Sequence, residues 1–318
     1  MMEYGFGIDI GGTTVKIAFF DCKGILLNKW EIKTNTANGG NAILLDIAAS
    51  VKNYLIERNI PAEQIIGIGV GVPGPVDDNG IVNKCVNLGW GKVDLQKELT
   101  ALTGFPVKVG NDANVAALGE CWCGAARGYE NVVLATLGTG IGGGIVVKGK
   151  IINGVHGAGG EIGHIVLEKE ETEACGCGKY GCAEQYCSAT GVVRVANRFL
   201  TESADASVLR MLEKIECKDV FEAAEKGDEV SQAILEQVYS YLGLFLANIC
   251  CVTDPDVILL GGGVSKAGKP LVDGTMKYFQ KYAFHACRET KILLAELGND
   301  AGAYGAWKLA LDAFGEGC

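Results

Sequence analysis

The chain has 318 residues, 48% of them hydrophobic, with 38 acidic against 28 basic side chains and a formal net charge of −10. That length supports a sizeable core and about two domains, and the acidic balance gives no overall electrostatic pull toward nucleic acid or an anionic membrane. The start, MMEYGFGIDI, lacks the basic segment, apolar run and small-residue cleavage site of a secretory signal. Thirteen cysteines, an odd number spread along the chain, fit a reducing cytoplasm better than a disulfide framework.

Residues 4–10 are apolar and suited to a strand. GGTT follows, then VKIAFFD, and after the turn CKG comes ILLNKWEIKT, so that a three-strand meander is predicted. Residues 131–153 repeat the plan with NVVLATL, GTGIGGG and IVVKGKIIN, which reads as an internal structural repeat. The repeat decides how the glycines are read. Gly138, Gly140 and Gly143 satisfy G-x-G-x-x-G, but a dinucleotide fold needs a helix directly after that loop, and here a strand continues. Neither loop supplies G-x-x-x-x-G-K-[ST]. What remains is two glycine-rich hairpin turns with backbone N–H donors and Thr hydroxyls, able to close on a polyphosphate from two sides. Either alone reads as a tight turn; two alike, with Asp9 and Lys16 beside the first, favour phosphate binding. Farther along, the uncharged helical run 237–253 contains Ser240, Asn248 and two tyrosines, which suits a buried helix better than a membrane span.

The matching residues Asp9-Ile10-Gly11-Gly12-Thr13-Thr14 with Lys16, Gly138-Thr139-Gly140, and Leu260-Gly261-Gly262-Gly263-Val264 resemble the phosphate-one, phosphate-two and adenosine motifs of the sugar-kinase, hexokinase and actin superfamily. The resemblance implies an α/β, two-domain, actin-like ATPase (ribonuclease H-like) fold with a ligand cleft between the domains. The first domain would cover 1–115, with a C-terminal helix at about 300–318 folding back onto it, and the second 116–299. Asp9 would hold Mg²⁺ through water and the two loops would hold the phosphates of ATP.

Between the loops lies VKVGNDANVAALGE, where a strand end runs into a helix and Asn111 and Asp112 project from the junction. Asp112 reads as a helix N-cap or, in a phosphotransferase, as the base that takes a sugar hydroxyl's proton; the two phosphate loops favour the second. His164 and CGCGKYGCAE, with Cys175, Cys177 and Cys182, make one imidazole and three thiols, the donor set of a closed structural Zn²⁺ site. Cys187, in the separate stretch QYCSATG, is a substitute ligand, His156 and His285 lack comparable partners, and Cys121 and Cys123 read as helix residues. Glu161 and Glu184 bracket the cysteine loop, and carboxylates aimed at one place suit a polyol.

E-x-G-H at 161–164 followed by C-x-C-G-x-x-G-C-x-E at 175–184 resembles the ROK family (repressor, open reading frame, kinase), most of all its bacterial glucokinases. The resemblance implies that Asn111, Asp112, Glu161, His164 and Glu184 contact the sugar, with Asp112 as base, and that His164, Cys175, Cys177 and Cys182 hold zinc. GVPGPVD and NLGW also look like the family's glucokinases, which implies that the first loop, with Gly74, lies at the sugar. Phosphate-one begins at Asp9, leaving no room ahead of it for the helix-turn-helix of the family's repressors. The expectation is therefore a cytoplasmic homodimer or homotetramer that phosphorylates the 6-hydroxyl of glucose from Mg·ATP. The alternatives are another hexose or N-acetylhexosamine, polyphosphate as donor, or a non-catalytic sugar sensor.

Overall fold

The computed structural model describes residues 3–315; the first two residues and the last three, Cys318 among them, lie outside the described residues. In chain order the elements are β1 (Tyr4–Ile10), β2 (Thr14–Asp21), β3 (Leu26–Lys33), a short turn α1 (Ala37–Gly40), α2 (Ile43–Glu57), β4 (Ile65–Val72), β5 (Ile81–Val82), β6 (Val93–Asp94), α3 (Leu95–Thr103), β7 (Val107–Asn111) and α4 (Asp112–Cys123). They continue with β8 (Val132–Leu137), β9 (Ile141–Val147), β10 (Lys150–Ile151), α5 (Glu184–Cys187), α6 (Ala189–Glu202), α7 (Cys217–Glu225), α8 (Glu229–Thr253), β11 (Val257–Gly261), α9 (Lys269–Tyr282), β12 (Lys291–Leu294) and α10 (Ala301–Phe314).

The predicted meander forms, with β1, β2 and β3 pairing antiparallel and β4 and then β7 adding parallel beside β1, in the order β3-β2-β1-β4-β7. A second sheet has the order β10-β9-β8-β11-β12, with β11 parallel to β8 and β12 parallel to β11. The two orders correspond strand for strand, so the internal repeat read from the sequence is a repeat of topology.

By packing, the chain divides into one unit of Met1–Glu130, Gly144–Gly160 and Glu296–Cys318 and another of Asn131–Gly143 and Glu161–Ala295. In the first, alternation along β1 sends Phe6, Ile8 and Ile10 into a core with Ile43, Ile47 and Val51 of α2 and Leu95 and Leu99 of α3. The other face of β1 and β4 carries glycines. A Cβ at Gly7 would stand 2.0 Å from the Ala303 carbonyl oxygen, and one at Gly69 1.7 Å from that of Ala306, so α10 lies directly on the sheet backbone. The same helix meets α4 just as closely, since a Cβ at Gly305 would stand 1.6 Å from the Val115 carbonyl oxygen. By packing, residues 116–130 lie with the first unit, and the contact of α4 with α10 contributes to that.

In the second unit α8 opens on Asp228, whose carboxylate accepts from Ser231 N at 2.8 Å, and closes on Asp254 in the left-handed region. Among the described residues it is the one helix long and apolar enough to cross a membrane. Val238, Leu242, Phe245, Leu246 and Ile249 are nevertheless buried, as the sequence reading of a core helix required.

Candidate functional site

In the first unit, Asp9 emerges on the glycine face of β1, directly opposite Lys16 on β2, and the two form an ion pair at 3.6 Å. Lys16 also donates to the Asn299 carbonyl at 3.1 Å. A Cβ at Gly302 would stand 2.9 Å from the Asp9 carboxyl carbon, so α10 crowds this acid. Burial pushes the Asp9 carboxyl above its ordinary value, the Lys16 ammonium opposes that, and the Asp112 charge adds to it. The turn that follows is pinned from behind. Gly11 N donates to the Thr14 carbonyl, Thr34 Oγ1 donates to the Gly11 carbonyl at 2.7 Å, and Thr34 N donates to that of Thr13. Gly12 and Thr13 are left exposed, with the Thr13 hydroxyl available to a ligand.

Asn111 ends β7 in an extended conformation and is the N-cap of α4, its Oδ1 accepting from Ala113 N at 3.0 Å and Asn114 N at 3.1 Å. Its Nδ2 donates to the Gly74 carbonyl at 3.1 Å, and Gly74 itself has φ +96. Capping therefore falls to Asn111, not Asp112, which is the first residue of the helix and accepts from Ala113 N at 2.8 Å. Burial raises the Asp112 carboxyl above its ordinary value, against the lowering pull of the Ala113 N–H and the Asn111 side chain. Cys85 lies close enough that the Asp112 charge, after burial, helps to raise its thiol. Asn114, which the sequence reading passed over, is buried and ties Gly159 O to its amide and Ile145 N to its carbonyl.

In the second unit, the phosphate-two turn joins β8 to β9. Gly138 N donates to the Gly140 carbonyl at 2.9 Å, while Thr139 is exposed. Gly262, with φ +82, passes so near Leu137 that a Cβ would stand 2.6 Å from its backbone. The adenosine motif Gly261–Val264 is thus seated beside the phosphate-two turn, with Gly262 and Gly263 open to solvent.

The cysteine loop turns back between Cys175 and Lys179, the Cys175 N–H donating to the Lys179 carbonyl at 2.7 Å, and re-enters beside Val166 at Cys182. One ligand atom each from His164, Cys175, Cys177 and Cys182 lies within 4.8 Å of every other. Cys177 Sγ and Cys182 Sγ are 3.7 Å apart, against roughly 3.8 Å for two sulfurs bound to one tetrahedral zinc at about 2.3 Å. His164 faces Cys175 Sγ with Nδ1 at 3.8 Å and Glu161 with Nε2, also at 3.8 Å. The donor set and its spacing fit zinc, with Nδ1 as the ligand nitrogen. Burial and the neighbouring thiols push the Cys182 thiol up to about 12, and burial raises that of Cys175, whereas, against burial, hydrogen bonds from the Lys179 N–H and the neighbouring thiols lower that of Cys177; a cation is what would hold Cys175 and Cys182 as thiolates.

Glu184 opens α5 and is bound at both oxygens. Oε2 accepts from Ile141 N at 2.9 Å and Oε1 lies 3.6 Å from Cys175 Sγ. A further network, unforeseen from the sequence, braces the same loop. Glu171 is buried and accepts from Arg198 at 2.7 and 2.9 Å and from Tyr186 at 2.5 Å, with Arg194 also paired to it. Two arginines four apart on α6 were the available signal, since that spacing puts them on one helix face.

The comparisons agree with the resemblance. The chain is 42% identical to a glucokinase of Halalkalibacterium halodurans over 94% of this chain and 92% of that one. It is 33% identical to a glucokinase of Thermotoga maritima over 97% and 98%. The structure superposes on a ROK family glucokinase from Streptomyces griseus in complex with glucose and AMPPNP with a TM-score of 0.76, at 32% identity over 98% of this chain and 100% of that one. This is the actin-like architecture expected. The ROK family model matches residues 5–313, and the chain belongs to the ROK family.

Proposed function

We propose that the protein is a glucokinase that transfers the γ-phosphoryl group of ATP to the 6-hydroxyl of glucose. The observation that carries this reading is Asp112, a half-buried carboxylate relieved of capping by Asn111 and so left one oxygen to receive a proton. The glucokinase relatives, and a solved relative bound to glucose and AMPPNP, support ATP and glucose as the substrates. The sugar O6–H proton passes to Asp112 as the O6–P bond forms and the bond from the γ-phosphorus to the β-bridging oxygen breaks, releasing ADP. A carboxyl held above its ordinary value is a better proton acceptor than a free aspartate, and its charge is left behind as the proton arrives.

The remaining roles follow from donor chemistry. Gly74 sets the loop that Asn111 holds, and Asn111, Glu161, His164 and Glu184 take sugar hydroxyls. Gly11, Gly12, Thr13, Thr14 and Lys16, with Gly138, Thr139 and Gly140, take the phosphates. Gly261, Gly262, Gly263 and Val264 border the nucleoside. Asp9 is suited to the waters of Mg²⁺, which with bound nucleotide would neutralise phosphate charge. His164, Cys175, Cys177 and Cys182 would hold a structural zinc that fixes the His164 ring and leaves Nε2 toward the sugar. A cytoplasmic homodimer or homotetramer completes the proposal.

The test is ADP release from Mg·ATP with glucose, mannose, fructose, allose, N-acetylglucosamine and N-acetylmannosamine. Strong preference for glucose is expected. Preference for another sugar would overturn the acceptor and keep the kinase, whereas no release with any of them from folded, zinc-loaded protein would overturn ATP as the donor and point to polyphosphate or to a sugar sensor.

A further inference from the structure

Three hydrogen bonds from one short stretch of chain hold the phosphate-two turn: Glu184 Oε2 accepts from Ile141 N at 2.9 Å, Ala189 N donates to the Gly138 carbonyl at 2.8 Å, and Thr190 Oγ1 donates to the Thr139 carbonyl at 2.6 Å. That stretch leads directly out of the cysteine loop. Cys182 precedes Glu184 by two residues, its N–H is held by Gln185 Oε1 at 3.1 Å, and the Gln185 amide donates to the Glu173 carbonyl at 2.9 Å. Ser188, the N-cap of α6, donates to the Glu184 carbonyl at 2.7 Å and accepts from Gly191 N at 2.9 Å, which fixes the step from α5 to α6. The Glu184 carboxylate itself spans the gap, with one oxygen toward Cys175 Sγ and the other on the turn. Contact is tight as well as polar, since a Cβ at Gly140 would stand 2.1 Å from Glu184 Oε2.

From this geometry we infer that Glu184 is a positioning residue for the phosphate-two turn and couples the metal cluster to nucleotide affinity. The inference rests on the kinase reading above and adds to the sugar contact assigned there. A metal that holds Cys182 fixes the chain two residues before Glu184, and Glu184 in turn fixes the amide of Ile141 one residue after Gly140. Without it the turn keeps its glycines but loses the anchor that gives their N–H groups one orientation, and a preorganised anion site becomes one that must order itself on binding.

The test measures AMPPNP binding calorimetrically with Mg²⁺ and no sugar, so that a sugar contact alone moves nothing. The proteins are the zinc-loaded chain, the same chain after chelation, Glu184→Ala and Glu184→Gln. Loss of one anchoring hydrogen bond should weaken binding by about fivefold or more in Glu184→Ala. Chelated protein should show a comparable loss. Glu184→Gln retains an oxygen that accepts from Ile141 N and should bind within about twofold of the parent. Thr190→Val removes a second anchor of the same turn and serves if Glu184→Ala does not fold; weakened binding is again expected. Unchanged AMPPNP affinity in the folded Glu184→Ala or, in its place, Thr190→Val would overturn the coupling while leaving the kinase reading intact. Absence of AMPPNP binding to the zinc-loaded parent would overturn both.

Discussion

Asn111 and Asp112 divide one task between them: Asn111 caps α4 through its side-chain oxygen, and Asp112, one residue later, stands in the first helical turn, where burial raises its carboxyl against the pull of the Ala113 N–H, the Asn111 side chain and its own N–H. A capping aspartate would be held ionised by several amides and would make a poor base. With Asn111 as the cap, burial outweighs the hydrogen bonds that remain, and the Asp112 carboxyl is raised.

Asp112→Asn keeps the shape and removes the proton acceptor, so kcat should fall by about 10²–10⁴-fold with little change in the glucose Kd. The parent's activity should also decline on the acid side at a pH above the ordinary aspartate value, because burial has raised this carboxyl. A pH–rate profile with its acid limb no higher than that of a free aspartate, or a variant with near-normal turnover, would remove Asp112 from the role of base.

The same burial predicts opposite stability effects at two acids. Folded Asp112 holds its proton more tightly than the unfolded chain does, so its contribution is present in acid and lost as pH rises through the shifted value. Asp112→Asn should therefore raise Tm at pH 7, with the gain disappearing in acid. At Glu171, burial alone would raise the carboxyl, but Arg198, Tyr186, the Glu173 N–H and Arg194 together hold it well below the carboxylate range. Its contribution is present above the ordinary glutamate value and lost as pH falls. Glu171→Ala should cost about 3 kcal/mol at pH 7, since it leaves Arg194 and Arg198 facing an emptied site, and thermal melts from pH 3 to 8 separate the two cases.

Metal analysis of purified protein should find about one zinc per chain. Cys177→Ser, which replaces an exposed member of the set, should lose most of it. Equal zinc in the two proteins would dissociate the metal from this cluster.

Gly305→Ala asks for a Cβ where the Val115 carbonyl oxygen already stands. Separating α10 from α4 should cost about 3 kcal/mol or more, read as a lowered urea midpoint. Gly298→Ala, with open space around its Cβ position but φ +55, is a control in which any loss arises from backbone conformation alone.

Much of this architecture was legible because local patterns carry it. Strand, glycine turn and strand occur twice in the sequence and produce two sheets of one topology, and the C-x-C-G-x-x-G-C spacing with His164 brings four ligand atoms together. What escaped depends on distant approach. The choice of Asn111 over Asp112 as cap turns on one residue of helix phase, within the usual uncertainty of helix boundaries. The ties of Glu184 to Ile141 and of Glu171 to α6 exist only once separate segments fold together. The glycines of GFG and GIGVG, alternating along β1 and β4, were a readable sign that a backbone would lie on that face, although nothing local said which helix it would be.

The seat that β1 and β4 make for α10 sets an order of events during synthesis. Strands from the first quarter of the molecule present a bare glycine face that α10 covers at Gly5, Gly7 and Gly69, so that part of the nascent first unit waits, incomplete, until residues 301–314 have been translated. A ribosome stalled anywhere in the second unit would hold out an uncovered sheet, and the cell's chaperones should find this protein chiefly at that stage.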